Sequence, residues 1–222
     1  MSLISSIVTK GIVRHSIHRH RPDSTQSDEQ LAGRARAGCR DSFGELAGRF
    51  QVRLLRFLQR QVRSASDAED LLQETFVRAF QRLHQYDENR PFGTWLFTIA
   101  HRLAVSHHRR ALAAARATST FADRDRHRMA EEPGRQLANE ESRLHFWATA
   151  RKVLSEEQLC ATWLFYVEEM PAPQIAEVLG RSWVSVKTIL FRARRKLAPL
   201  LAESKELNWP AALFRENEPL YV

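Results

Sequence analysis

The chain is short of the residues that break helices and of those that cross-link them. Eight glycines and eight prolines are spread through 222 residues, and the only two cysteines, Cys39 and Cys160, stand far apart. A disulfide-framed secreted domain needs more cysteine than this, and neither thiol has neighbours at metal-ligand spacing. Both sit among apolar or small residues and read as buried free thiols in a reducing cytoplasm. No apolar run approaches the ~20 residues needed to span a bilayer, so no membrane insertion is expected. No Gly-rich loop is present to cradle a phosphate. His101, His107 and His108 lie in a basic stretch, without the acidic partners that a metal site or general base would want. An enzyme is therefore not expected, nor a cofactor, nor a metal. Alternating β-branched stretches are missing too, which argues against a sheet.

What the chain does have is positive charge and helical periodicity. Its 34 basic residues outnumber 26 acidic ones, a net charge of +8 that favours nucleic acid or another polyanion as partner. The periodicity predicts an all-α protein of two small helical domains. Residues 1–27 read as a basic N-terminal extension. It lacks a signal-peptide core, and Leu3, Ile4, Ile7, Val8 and Ile12 share one helical face. His15, His18 and His20 read there as solvated tail. Residues 28–110 form the first helical block. Residues 111–138 lose the apolar period, mix Ala, Arg and Asp, and end near Pro133-Gly134, which marks a linker. Residues 139–201 form the second block. Residues 202–222 form a tail whose Trp209, Leu213 and Phe214 are candidates to dock on it.

The stretch APQIAEVLGRSWVSVKTILF at 172–191 reads as helix, glycine turn, helix. Gly180 can take the left-handed conformation that ends the first helix. Small Ala176 lets the second helix approach, and Ser182 is a natural N-cap for it. Val186, Leu190, Ala193 and Leu197 recur at four, three and four, a buried stripe. The second helix carries Lys187, Arg192, Arg194, Arg195 and Lys196, and residues 181–200 contain no acid. A basic helix behind a tight turn suits the DNA major groove. Ser155 to Gln158 is a capping box for a helix packing under this motif.

In the first block, Ser66-Asp67-Ala68-Glu69 reads as a capping box that starts a helix at Asp67. Leu72, Phe76, Ala79, Phe80 and Leu83 form its stripe, with Asp70, Gln73 and Glu74 off it. First-turn acids commonly stabilise the helix dipole, which explains Asp67, Glu69 and Asp70 better than Gln73 and Glu74. Pro91 and Gly93 then mark a loop holding Tyr86, Asn89, Arg90 and Phe92. In the following helix Leu96, Ile99, Ala100, Leu103 and His107 face inward, and Trp95, Thr98, Arg102, Val105 and Arg109 lie on the other side. A tryptophan followed by arginines at helical spacing suits unpaired bases and phosphates; a core tryptophan with solvated arginines fits the same spacing.

The segments DAEDLLQETFVRAF (67–80), FGTWLFTIAHRLAVSHHRR (92–110) and LSEEQLCATWLFYVEEMPAPQIAEVLGRSWVSVKTILFRARRKL (154–197) together resemble the extracytoplasmic-function (ECF) sigma factors, the smallest of the bacterial sigma-70 type initiation factors. The resemblance spans about 28–200, in the family's order. It implies that residues 28–110 are sigma domain two, binding the clamp helices of the largest RNA polymerase subunit through Asp70, Gln73 and Glu74. The same domain would read the −10 element and open it with Tyr86, Asn89, Arg90, Phe92, Trp95, Arg102 and Arg109, the loop around Tyr86–Phe92 holding a flipped base. It implies that residues 139–201 are sigma domain four, which meets the polymerase flap and reads the −35 element. Base edges would fall to Arg181, Ser182, Trp183, Ser185, Thr188 and Arg192, and phosphates to Lys187 and Arg195. The linker would thread toward the polymerase active-site cleft. An anti-sigma factor is a further partner common in the family. Four positions depart from the family pattern: Arg102 for Asn, Ser106 for Asp, Ile189 for Arg and Trp183 for a small residue. They imply an altered promoter preference. The competing expectation is a helix-turn-helix regulator that binds DNA without polymerase, which would have no need of the 67–80 motif.

Overall fold

The computed structural model describes residues 26–62, 64–117 and 146–203. The apolar N-terminal face, the histidine cluster, residues 118–138 of the expected linker, residues 139–145 at the expected start of the second block, and Trp209, Leu213 and Phe214 lie outside the described residues. Every regular element among the described residues is a helix, and the chain divides into two compact units.

The first unit contains α1 (Asp28–Arg36), α2 (Arg40–Gln61), α3 (Ala65–Gln81), a 3-10 turn (Leu83–Gln85) and α4 (Phe92–Ala117). The Ser27 and Gln30 side chains form a reciprocal capping box that starts α1. Helix α2 packs against all three of the others. Phe43, Leu46, Phe50, Leu54, Phe57 and Leu58 give it a buried stripe at helical spacing. The stripe meets Leu72, Phe76 and Ala79 of α3 and Leu96, Phe97, Ala100 and Leu103 of α4, all buried. Edge-to-face ring pairs, Phe43 with Phe80 and Phe57 with Phe97, both 5.1 Å between centroids, tie the helices together.

Several expectations shift in this unit. Helix α3 begins two residues earlier than Asp67, because the capping oxygen is Ser64 Oγ, which accepts from the Asp67 amide. Ser66 already lies inside the first turn. Leu71 and Thr75 widen the α3 stripe; the Thr75 hydroxyl is satisfied by donating to the Leu71 carbonyl at 2.6 Å. Thr98, placed on the outer side of α4, is buried and donates to the Thr94 carbonyl. His107, placed on the inner side, is half-buried, with Nε2 3.7 Å from Asp67. Helix α4 runs on to Ala117, seven residues past the expected linker boundary, through an Ala-rich stretch of high helix propensity. Cys160 is buried as expected, but Cys39 is half-exposed at the start of α2. Ser42 Oγ donates to its sulfur, which lowers the thiol below its ordinary range.

The second unit contains α5 (146–153), α6 (Glu156–Tyr166), α7 (Ala172–Leu179) and α8 (Trp183–Glu203). The Ser155 to Gln158 capping box forms as expected. Helix α6 is the hub: residues 158–164 are buried without interruption. Trp163 stacks 4.9 Å from Trp147 and donates through Nε1 to the buried Glu168 carboxylate. Pro171 precedes α7, where its fixed φ suits a helix start. Gly180 ends α7 at φ 63°, ψ 40°, so the chain reverses there into Ser182, whose hydroxyl accepts from the Ser185 amide to cap α8. Val186, Leu190, Ala193 and Leu197 are all buried, as their spacing required.

Gly180 has open space where a Cβ would sit, so only its backbone conformation resists substitution. Gly180→Ala is expected to cost about 1–2 kcal/mol, and Gly180→Asn less. Gly48, in the interior of α2 with similar open space, is the opposite case. Gly48→Ala should gain about 0.5–1 kcal/mol. Chemical denaturation followed by circular dichroism measures both signs.

Candidate nucleic-acid interface

The loop before α4 is built from the inside out. Phe92 is buried and meets Phe50 edge-on at 5.6 Å and Tyr86 at 5.4 Å. A Cβ on Gly93 would come within 3.2 Å of the Phe50 ring, so glycine lets that packing close. The Phe92 amide, at the start of α4, donates to Glu29 of α1 at 3.2 Å. Tyr86 is buried too; its hydroxyl donates to the Arg90 carbonyl at 2.6 Å, and burial followed by the carboxylates of Glu29, Glu88 and Asp87 pushes the phenol far above its ordinary range. Arg36 pairs with Glu88 and also donates to the Tyr86 carbonyl. At the tip, Asp87 accepts from the backbone and side-chain nitrogens of Asn89, which lowers its carboxyl.

This geometry sorts the predicted −10 residues. Asn89 and Arg90 are exposed at the tip. Tyr86 and Phe92 are not available as stacking faces: they are the loop's foundation. Trp95 lies between, half-buried and tilted against Tyr86 at 5.3 Å and Phe92 at 5.6 Å. Arg102, Ser106 and Arg109 are exposed. With Trp95 they follow spacings of seven, four and three on one side of α4, a line about 21 Å long at 1.5 Å per residue.

On α3, Asp70 and Gln73 are exposed on the side away from the α2 contact. Glu74 is half-buried and pairs with Arg78 one turn on. The surface is therefore acidic at Asp70 and partly compensated at Glu74.

On α8, the buried stripe turns Val184, Thr188, Phe191 and Arg195 directly outward, with Arg192 beside them. Of the residues predicted to meet base edges, Thr188 and Arg192 lie in this zone. Ser182 and Ser185 are engaged with each other at 2.8 Å in the cap. Arg181 is exposed but ion-paired to Glu157 of α6 at 2.7 Å. Trp183 is exposed, and the Lys187 ammonium sits 4.3 Å above its ring. Ile189, where the family pattern has arginine, is half-buried toward the core side.

Three residues escaped sequence reasoning. Val184 and Phe191 carry no charge and belong to no buried stripe, yet they dominate the outer face of α8. A count of apolar residues opposite the stripe would have found them. Glu29 stabilises the start of α4 from 63 positions away, and no local signal marks it.

Comparison with known proteins gives the family of the chain. Residues 46–113 match the family model for Sigma-70 region 2, and residues 152–197 match that for Sigma-70, region 4. The ECF RNA polymerase sigma factor BldN of Streptomyces coelicolor is 30% identical over 189 residues, covering 83% of this chain and 71% of BldN. The RNA polymerase sigma factor CnrH of Cupriavidus metallidurans is 30% identical over 193 residues, covering 81% of this chain and 97% of CnrH. The structure of CnrH in complex with the cytosolic domain of CnrY superposes with a TM-score of 0.60 at 27% identity, over 81% of this chain and 100% of that one. With both sigma regions in order and relatives matched over most of their length, the chain belongs to the ECF sigma factors of the sigma-70 type.

Proposed function

We propose that this chain is a transcription initiation factor that docks on core RNA polymerase through α3 and places the enzyme on promoters through α4 and α8. The observation that carries the reading is the presence, on one chain, of an acidic docking face and two DNA-suited helices within matched sigma regions. Asp70, Gln73 and Glu74 meet the clamp helices of the largest subunit, where charge complementarity speeds docking and selects the partner. Asn89 and Arg90 take hold of the −10 element at the loop tip. Trp95, Arg102 and Arg109 line the path of the opening strand. Tyr86 and Phe92 act as positioning residues beneath them.

On the −35 duplex, Thr188 and Arg192 face base edges, and Lys187 and Arg195 face phosphates. Trp183, Ser182, Ser185 and Arg181 shape the turn that sets α8 into the groove. The polymerase flap is the second contact, met by the region-four unit. Strand opening needs no hydrolysis by this chain: unstacking costs a few kcal/mol per base and is offset by binding. The reading places the protein in the cytoplasm with the polymerase. No described helix is long and apolar enough to cross a membrane. We include an anti-sigma factor among the partners, as is common in this family, and the relative CnrH was itself solved in complex with a second protein, the cytosolic domain of CnrY.

Three outcomes are expected. Asp70→Lys combined with Glu74→Lys weakens binding to core polymerase at least tenfold, measured by fluorescence anisotropy. The fold is kept, at a cost of about 1 kcal/mol or less, because Glu74→Lys also replaces the i,i+4 pair with Arg78 by a like-charge contact. Retained core affinity sinks the docking assignment. Arg102→Ala and Arg109→Ala each lower the salt slope of holoenzyme–promoter binding by about one ion; an unchanged slope moves these arginines off the DNA path. Arg192→Ala costs about 1–3 kcal/mol at one −35 base pair if it reads an edge, scored by run-off transcription on single-base promoter variants. An equal loss on every variant makes it a phosphate contact.

A further inference from the structure

The outer face of α8 is unusually apolar for a helix of such charge. Six large apolar side chains are exposed among the described residues, and three of them, Trp183 at 52%, Val184 at 54% and Phe191 at 58%, are on this helix. The others, Val52, Leu112 and Val153, are scattered singly, which is ordinary for a soluble protein. Val184 and Phe191 are not scattered: with Thr188 between them they make a continuous row opposite the core. Thr188 spends its hydroxyl on the Val184 carbonyl at 3.1 Å, which leaves its methyl group as the uncommitted part. The row is flanked by cations. Arg192 is exposed beside it, and the Arg195 guanidinium lies 5.9 Å over the Phe191 ring.

An apolar row edged with positive charge fits one surface in particular. The DNA major groove has phosphates at its rims and, on its floor, a single type of apolar group, the C5-methyl of thymine. We infer that Val184, Thr188 and Phe191 are specificity-determining residues that read thymine methyl groups in the −35 element, alongside the base-edge contact assigned to Arg192. The inference rests on the initiation-factor reading above and deepens it. It specifies which chemical feature of the base pairs α8 selects, and it gives the row an occupant that its flanking cations also suit. Arg195 holds a phosphate at the rim of the groove, and Arg192, exposed beside the row, keeps the base-edge role given to it above.

The test separates the methyl group from everything else in the base pair. Holoenzyme made with the full chain and core polymerase is first run on a promoter library randomised through the −35 element. Transcribed templates are expected to be enriched in thymine at two or more positions. The thymines of the best template are then replaced by deoxyuridine, which pairs identically and lacks only the methyl. Holoenzyme binding is expected to weaken about fourfold per methyl that meets the row, the worth of burying one methyl-sized group. The double variant Val184→Ser, Phe191→Ser, at two exposed positions that leave the core intact, should bind the thymine template as weakly as wild type binds the deoxyuridine one, and lose nothing more on deoxyuridine. Equal wild-type binding to both templates, with −35-dependent transcription maintained, overturns the inference. So does a double variant that transcribes normally on both, which would assign the row to a protein partner. Absence of any polymerase-dependent transcript from the library is a separate result; it overturns the initiation-factor reading itself.

Discussion

The contact of the Phe92 ring with Phe50 and Tyr86 is the constraint on which the first unit's exposed surface depends. Phe92 is the first residue of α4, so its packing fixes where the helix starts and which side faces out. Its amide is held by Glu29, its neighbour Gly93 admits the Phe50 ring, and Tyr86 beneath it anchors the loop through Arg90. A loop carrying Asn89 and Arg90 at its tip would otherwise be a flexible span between two helices. Here it is braced from α1, α2 and α4 together. Ordering such a loop before a ligand arrives removes an entropy cost that would otherwise be charged to binding.

The second unit uses the same logic with shorter range. Helix α6 is wrapped on every side, and α7 and α8 lean on it through small or branched residues such as Ala176, Val178 and Ala193. Polar links finish the joint: Arg194 donates to Tyr166 Oη at 2.7 Å, and Lys196 to the Val153 carbonyl and Gln158. Burial raises the Tyr166 phenol above its ordinary range, and Arg194 works against that shift. Much of the basic character of α8 is thereby structural.

What could be read from the sequence follows the range of each interaction. The Gly180 reversal, the Ser182 cap, the Ser155 box and the stripe from Val186 to Leu197 are set by residues within a turn or two of one another, so spacing reveals them. The all-α class and the Asp70 face were legible for the same reason. Ser64 was overlooked because two serines compete for one cap, and only the backbone turn decides between them. The far end of α4 was misjudged because Ala and Arg extend a helix without showing an apolar period. Tyr86 and Phe92 looked like binding groups because an aromatic residue beside proline and glycine reads as a loop ornament; their burial depends on Phe50, which is distant in sequence. Val184 and Phe191 were eclipsed by the charges around them.

The ion pair between Arg181 and Glu157, with the commitments of Arg194 and Lys196 to the core, has a bearing on how the molecule behaves alone. Of the six cations between residues 181 and 200, three donate hydrogen bonds to protein oxygens: Arg181, Arg194 and Lys196. Arg194 and Lys196 keep their charge, since their acceptors are neutral, but their donors are turned toward the core rather than toward a phosphate, and the charge of Arg181 is balanced by Glu157. A duplex reader so restrained would spend little time on random DNA. It would gain useful occupancy only when a second grip raised its effective concentration at one place. On the proposed reading, the parsimony of free donors on α8 would be a form of tuning by avidity, with each half of the chain holding weakly and commitment coming from both together.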